Sequence, residues 1–209
     1  DVSSHEDAAP LSEPEGPFIE KQKPTATLSF KTALYEGEAS TLGGTVTRLV
    51  YTGEAEETGL STEVLFEALP GEPGIFGARL IHENADLTKT LFKAQRRGNG
   101  EILEFCYERP GQYRMKKTYY FGESDPIVGL DITLENISSS ERTFPLEIDY
   151  GIRPPSRESP DWAQTQAVVQ TDKIEQADIN KISKKGFLVS GPVQWSGVVR
   201  KYFALLMKP

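Results

Sequence analysis

The sequence predicts a mainly β protein, built as two antiparallel sheets packed face to face, with any helix confined to short pieces in the C-terminal part. Three observations carry this. Apolar residues recur at every second position in one short run after another, the period that turns one face of a strand to a core and the other to water. Clusters of Gly, Pro, Asn and Ser punctuate these runs at the spacing of turns. No stretch sustains the period of an amphipathic helix. With 209 residues, the chain can bury most of its apolar surface without covalent staples, and no repeat of fixed period divides it.

Taken in order, residues 1–24 are rich in Glu, Pro, Ser and Ala and poor in large apolar groups. They read as a tether with too little apolar area to offset the entropy of ordering, and the folded domain is expected over 25–209. Leu28 and Phe30 begin the first strand. Tyr35, Gly37, Ala39 and Thr41 share a face in the second. Gly43 and Gly44 break the run at a tight turn or bulge, and Val46, Thr47, Leu49, Val50 and Tyr51 resume it. Residues 53–59 form an acidic loop, 64–68 a short strand and 70–74 a Pro- and Gly-rich loop. Residues 85–100 are polar and fit neither period. A strand over 102–107 turns at Arg109, Pro110 and Gly111 into a second one whose Tyr113, Met115, Lys117 and Tyr119 share a face.

The strictest alternation follows. Val128, Leu130, Ile132 and Leu134 point one way, the turn over 136–142 is polar, and Phe144, Leu146, Ile148 and Tyr150 alternate again. This predicts a hairpin whose second arm has an edge or bulge at Pro145, which lacks an N–H. Residues 153–160 read as a loop followed by Trp162, residues 166–171 and 187–189 as strands. In residues 172–185 the spacing of Ile174, Ile179 and Ile182 fits neither period. The closing stretch is dense in aromatic and apolar groups, from Trp195, Gly197 and Lys201 through Tyr202 and Phe203 to Pro209. It ends without a polar tail, so more chain is expected beyond Pro209.

The formal charge is −8, from 23 Lys and Arg against 31 Asp and Glu. A nucleic-acid ligand is not expected, because phosphate neutralisation needs a basic face. The same balance predicts no polybasic patch for anionic lipid. Cys106, the only cysteine, excludes an intrachain disulfide and reads as a buried structural thiol within its strand. No apolar run reaches the length of a membrane-spanning helix. No signal-peptide pattern and no initiator Met are present.

Four of these stretches, in this order, resemble the large periplasmic domain of the bacterial YidC insertase family. The first is Thr32-Ala33-Leu34-Tyr35 leading to Ser40-Thr41-Leu42-Gly43-Gly44, similar to that family's Thr-x-Leu-Tyr strand and Gly-Gly turn. The second is the run from Gly111 through Lys117 and Tyr119 to Phe121, similar to its Gly-hydrophobic-x-Lys-x-Tyr-x-Phe strand. The third is the strand ending at Leu134, Glu135 and Asn136 before a Ser-rich turn. The fourth is Trp195 and Gly197, then Lys201, Tyr202 and Phe203, closed by Pro209. The resemblance covers most of 25–209. It implies a two-sheet supersandwich of the galactose-mutarotase type, on the periplasmic side of the inner membrane, with 1–24 linking it to a preceding transmembrane helix. It implies no cofactor or metal. Its expected partners are the Sec translocon and nascent membrane proteins, which the absent transmembrane helices would insert and fold.

The residues themselves offer little catalytic chemistry. His5 lies in the tether, leaving His82 beside Glu83 as the one histidine in the folded part. It reads as a half-exposed surface residue rather than an acid–base pair. A standard zinc site is not expected from one cysteine and one folded histidine, and no dinucleotide, P-loop or nucleophile-elbow motif occurs. Carboxylates suited to glycosidic chemistry are plentiful but lie mostly in loops and at wet strand positions. Trp162 and Trp195 suggest a sugar-stacking platform or simple packing, and packing is the expectation for both. The same holds for Tyr202 and Phe203, with Lys201 laying its stem over them. The leading expectation is a non-catalytic scaffold and interaction domain. A carbohydrate-binding or mutarotase-like protein on the same sandwich is the alternative, and it would need His82 as base. An adhesion sandwich is a third reading that leaves the order of the four stretches unexplained.

Overall fold

Alternating side chains become strands wherever a facing sheet can bury one set of them. In the computed structural model, residues 25–53, 63–69, 72–98, 100–124, 126–149, 164–185, 187–199 and 204–208 are described. The tether, most of the acidic loop, Tyr150, the Pro-rich loop with Trp162, and Lys201, Tyr202, Phe203 and Pro209 lie outside them. The described strands are antiparallel and fall into four sheets. The first runs in chain order through β1 (Thr27–Lys31), β2 (Tyr35–Ser40), β3 (Thr45–Tyr51) and β4 (Glu63–Glu67). The second is also a meander, of β7 (Lys93–Arg97), β8 (Ile102–Arg109), β9 (Tyr113–Phe121) and β10 (Val128–Asn136).

A small third sheet places β5 (Gly77–Leu80) between β6 (Ala85–Asp86) and β11 (Leu146–Asp149). The fourth holds β12 (Gln166–Gln170) between β13 (Ile174–Asp178) and β14 (Trp195–Val199), with β15 (Ala204–Met207) beyond β14. Helical structure among the described residues is short: a 3-10 turn at Leu87–Lys89 and one helix, α1 (Ile179–Lys185), which follows β13 directly. The expected all-β sandwich with short helices is what the chain forms.

The first two sheets pack through one apolar cluster. Phe30, Tyr35, Ala39, Val46 and Leu49 come from one side and Ala94, Leu103, Phe105, Tyr113, Met115, Tyr119 and Phe121 from the other. Phe30 and Phe121 stack across the interface at 4.0 Å between ring centroids. The third sheet joins this cluster through Ala78, Leu80 and Ile148. Among the described residues, the fourth gives it none, and its buried Val168 and Ala177 lie outside the cluster.

Two expectations need correction. The hairpin predicted from β10 into β11 does not form. β10 pairs with β9 in unbroken register from Val128 opposite Phe121 to Asn136 opposite Tyr113, and β11 pairs with β5. Alternation reveals which face is buried, not which strand lies alongside. β9 precedes β10 with the same length, so local pairing wins. β11 is an edge strand of its sheet, as Pro145 just before it requires. The strand expected at 187–189 is irregular chain. Conversely, residues 85–100, which fitted neither period, hold β6, the 3-10 turn and β7.

Candidate functional site

The β9 alternation sends Lys117 inward, among apolar neighbours, where an ammonium group must find acceptors or be neutralised. Lys117 is 0% exposed. Its Nζ donates to the carbonyls of Gly43 at 2.8 Å, Gly44 at 3.4 Å and Phe76 at 2.7 Å. It also lies 5.4 Å from the centroid of the Phe92 ring. Two residues on, the Tyr119 hydroxyl donates to the Gly44 carbonyl at 2.7 Å. A strand of the second sheet thus grips a turn of the first.

The acceptors are aimed by backbone shape. Gly43 and Gly44 have φ of 74° and 54°, the left-handed region that favours glycine. Space also excludes a larger residue. A Cβ on Gly43 would meet the Thr88 carbonyl at 2.8 Å, and one on Gly44 the Phe105 Cβ at 3.0 Å. The Gly43 N–H donates to the Thr90 carbonyl at 2.7 Å, pinning the turn to the segment that leads into β7. Phe76, just before β5, has φ of 65°, a conformation that costs a non-glycine residue roughly 1–3 kcal/mol. Its N–H donates to the Asp149 carbonyl at 2.6 Å while its own carbonyl faces Lys117.

Burial pushes the Lys117 ammonium down to about 7, and the nearby Asp149 carboxylate pulls it back up. That carboxylate is shared: Arg79 binds Asp149 at 2.8 Å and also reaches Glu147 at 3.4 Å on the same edge strand. Burial alone raises the Tyr119 phenol far above its ordinary range. The cluster is therefore a polar staple through an apolar core, joining three sheets at one nitrogen. Its polar atoms are committed to one another, which suits a mechanical role.

Of the residues singled out from sequence, Gly43, Gly44 and Lys117 meet at this staple. Gly111 sits apart, in the exposed turn between β8 and β9 with φ of 69° and open space around it. Asn136 ends β10 and organises the next turn. Its side-chain oxygen accepts from the Ser138 N–H at 3.0 Å and hydroxyl at 2.7 Å, and its amide donates to the Ser140 carbonyl at 2.8 Å. Trp195 and Gly197 lie on β14 in the fourth sheet, Trp195 half-buried and Gly197 buried. Sequence reading missed Phe76. Its signal was the pair of flanking glycines, Gly74 and Gly77, in a short apolar run.

His82 stands exposed in the turn between β5 and β6, and its neighbour Glu83 is paired with Arg142 at 3.3 Å. Cys106 is half-buried rather than buried, and burial raises its thiol. No group of three or more His, Cys, Asp or Glu among the described residues is placed to hold a metal ion. No helix among them is long and apolar enough to cross a membrane.

Fold and staple together define an all-β sandwich protein whose most elaborate internal feature is structural. No family model matches the chain. Curated proteins do. It is 27% identical over 190 residues to the membrane protein insertase YidC of Burkholderia thailandensis, covering 84% of this chain and 34% of that protein. It is 27% identical over 191 residues, with the same coverage, to the proteins of that name from Burkholderia mallei and Burkholderia pseudomallei. The chain is similar to the membrane protein insertases named YidC over most of its own length, and it spans about a third of the length of these curated relatives.

Proposed function

We propose that residues 25–209 are the periplasmic β-supersandwich domain of a YidC-like membrane protein insertase, with 1–24 as its tether. The domain is a non-catalytic scaffold and interaction module. It assists the insertion and folding of inner-membrane proteins by membrane-embedded parts of the same protein, alone or with the Sec translocon. The observation that carries this is the match to insertases across 84% of the chain. The staple supports it: three residues picked out by resemblance to that family, Gly43, Gly44 and Lys117, form one buried contact.

The test uses the full-length protein that carries this chain, in cells depleted of their own insertase. Removing residues 25–209 is expected to lower insertion of Sec-dependent inner-membrane proteins and to abolish photo-crosslinks from this domain to Sec components. Unchanged insertion and an absence of crosslinks in the intact protein would remove the scaffold role. Turnover of an aldose or glycan that is lost in His82→Ala would replace it with the carbohydrate reading.

A further inference from the structure

The overall negative charge hides a sharp polarity along the chain. Residues 164–209 hold seven Lys and Arg against three Asp and Glu, a net +4, while the chain as a whole carries −8. The fold gathers part of this excess. Lys181, Lys184 and Lys185 are exposed on α1, and none of them has an ion pair among the described residues. Lys181 Nζ lies 5.9 Å from the centroid of the Phe187 ring. The next residue, Leu188, is 91% exposed, the most exposed large apolar side chain described.

The adjoining sheet repeats the pattern. Directly paired residues share a face, so Ile174, Gln170 and Trp195 form one row and Gln176, Val168, Gly197 and Leu206 the next. Val168 and Gly197 at the sheet's centre are buried, but toward its margins Ile174 is 62% and Leu206 56% exposed; Lys208 is exposed two residues from Leu206, and Lys173, next to Ile174, is paired with Glu175 at 3.7 Å. Cations beside bare Leu, Ile and a half-buried Trp suit a layer of anionic headgroups over hydrocarbon. A nucleic acid would use the lysines but gain nothing from Leu188.

We infer that the fourth sheet and α1, chiefly through Lys181, Lys184, Lys185 and Leu188, bind an anionic lipid surface. This contact goes beyond the scaffold role and is argued from charge and exposure alone. It runs against the expectation from overall charge that no basic patch exists for lipid. Each lysine near such a surface strengthens binding about fivefold, so losing three cations is expected to weaken it about a hundredfold, and reversing their charge weakens it further.

The test is co-sedimentation of the 209-residue chain with vesicles of phosphatidylglycerol and phosphatidylethanolamine, against vesicles of phosphatidylcholine alone. The expected result is binding to the anionic vesicles only, lost in the triple variant Lys181→Glu/Lys184→Glu/Lys185→Glu and weakened in Leu188→Ser. A control variant, Lys31→Glu/Lys89→Glu/Lys93→Glu, makes the same change in net charge elsewhere and is expected to bind like the parent. All variants should melt like the parent, since the altered side chains are exposed. No binding by the parent, equal binding to neutral vesicles, or equal loss in both triple variants would overturn the inference. So would competition by inorganic phosphate at constant ionic strength, which would mark a free-anion site. None of these outcomes bears on insertion, so the scaffold role stands or falls separately.

Discussion

An ammonium group has three hydrogens, and Lys117 has three carbonyls to receive them. Replacing it with Met keeps the length of the side chain and takes this donor from the Gly43 and Phe76 carbonyls, while the Gly44 carbonyl keeps the Tyr119 hydroxyl. Leaving a buried acceptor without its partner costs about 1–3 kcal/mol, and about 2–4 °C of melting temperature accompanies each kcal/mol in a chain of this size. Lys117→Met should therefore melt several degrees below the parent, as a thermal melt by circular dichroism would read. The same residue sets a pH dependence. Its folded value is about 7 against an ordinary 10.5, so between these the unfolded chain binds more protons than the folded one. Stability should rise with pH across that window and level off below it. Urea midpoints near pH 7 and pH 9.5 would show the slope in the parent and its absence in Lys117→Met. Measurements belong below pH 10, because Tyr35, pushed up to about 12 by burial, reverses the trend there. Glycine supplies a further contrast. Gly44→Ala meets both a left-handed backbone and the Phe105 side chain, whereas Gly111→Ala meets the backbone alone. Strain alone costs about 1–3 kcal/mol, and denaturant curves should place Gly44→Ala clearly below Gly111→Ala.

At the scale of strands, what could be read from sequence was the local pattern. The face of β9 that carries Tyr113, Met115, Lys117 and Tyr119 is the buried face, and the break at Gly43 and Gly44 is the turn it grips. Neither fact required knowledge of neighbours. The partners of β10 and β11 did require it, and there alternation was silent. Phe76 carried only the local signal of its flanking glycines, because the partners of its N–H and carbonyl, Asp149 and Lys117, lie far along the chain. Trp195 shows the limit of hydrophobicity as a guide to burial, since it is half-buried on an inner strand of the fourth sheet rather than in the main cluster. Its truncation should cost less than that of Phe121, which is 3% exposed and stacked on Phe30. Large-to-small aromatic changes in a core cost about 3–5 kcal/mol. Paired melts of Phe121→Ala and Trp195→Ala should separate, and equal losses would place Trp195 in a core of equal weight.

The molecule as a whole has an uneven interior. Among the described residues, the main cluster is built from those between Leu28 and Ile148, and the sheet of β12, β13, β14 and β15 adds none to it. Opening free energy follows local packing. Amide hydrogen exchange should therefore be slowest in β8 and β9 and markedly faster in β12 and β14, although each of these is flanked by strands on both sides. Uniform protection across all four sheets would contradict this. Removing residues 1–24 should leave the melting temperature nearly unchanged, because their composition offers little apolar area to dock.

The staple also has a consequence for the order in which the chain is made. Lys117 and the Gly43 carbonyl are 74 residues apart in sequence. At roughly 5–20 residues per second, a ribosome that has finished the turn needs about 4–15 s more to deliver the lysine. For that interval β1, β2 and β3 can pair among themselves, but the sheet they close against still lacks β9. A nascent molecule passes through these seconds with Phe30 and Tyr35 lacking the Phe121 ring that packs on them. Lys117 and the strand that carries it bring that period to an end.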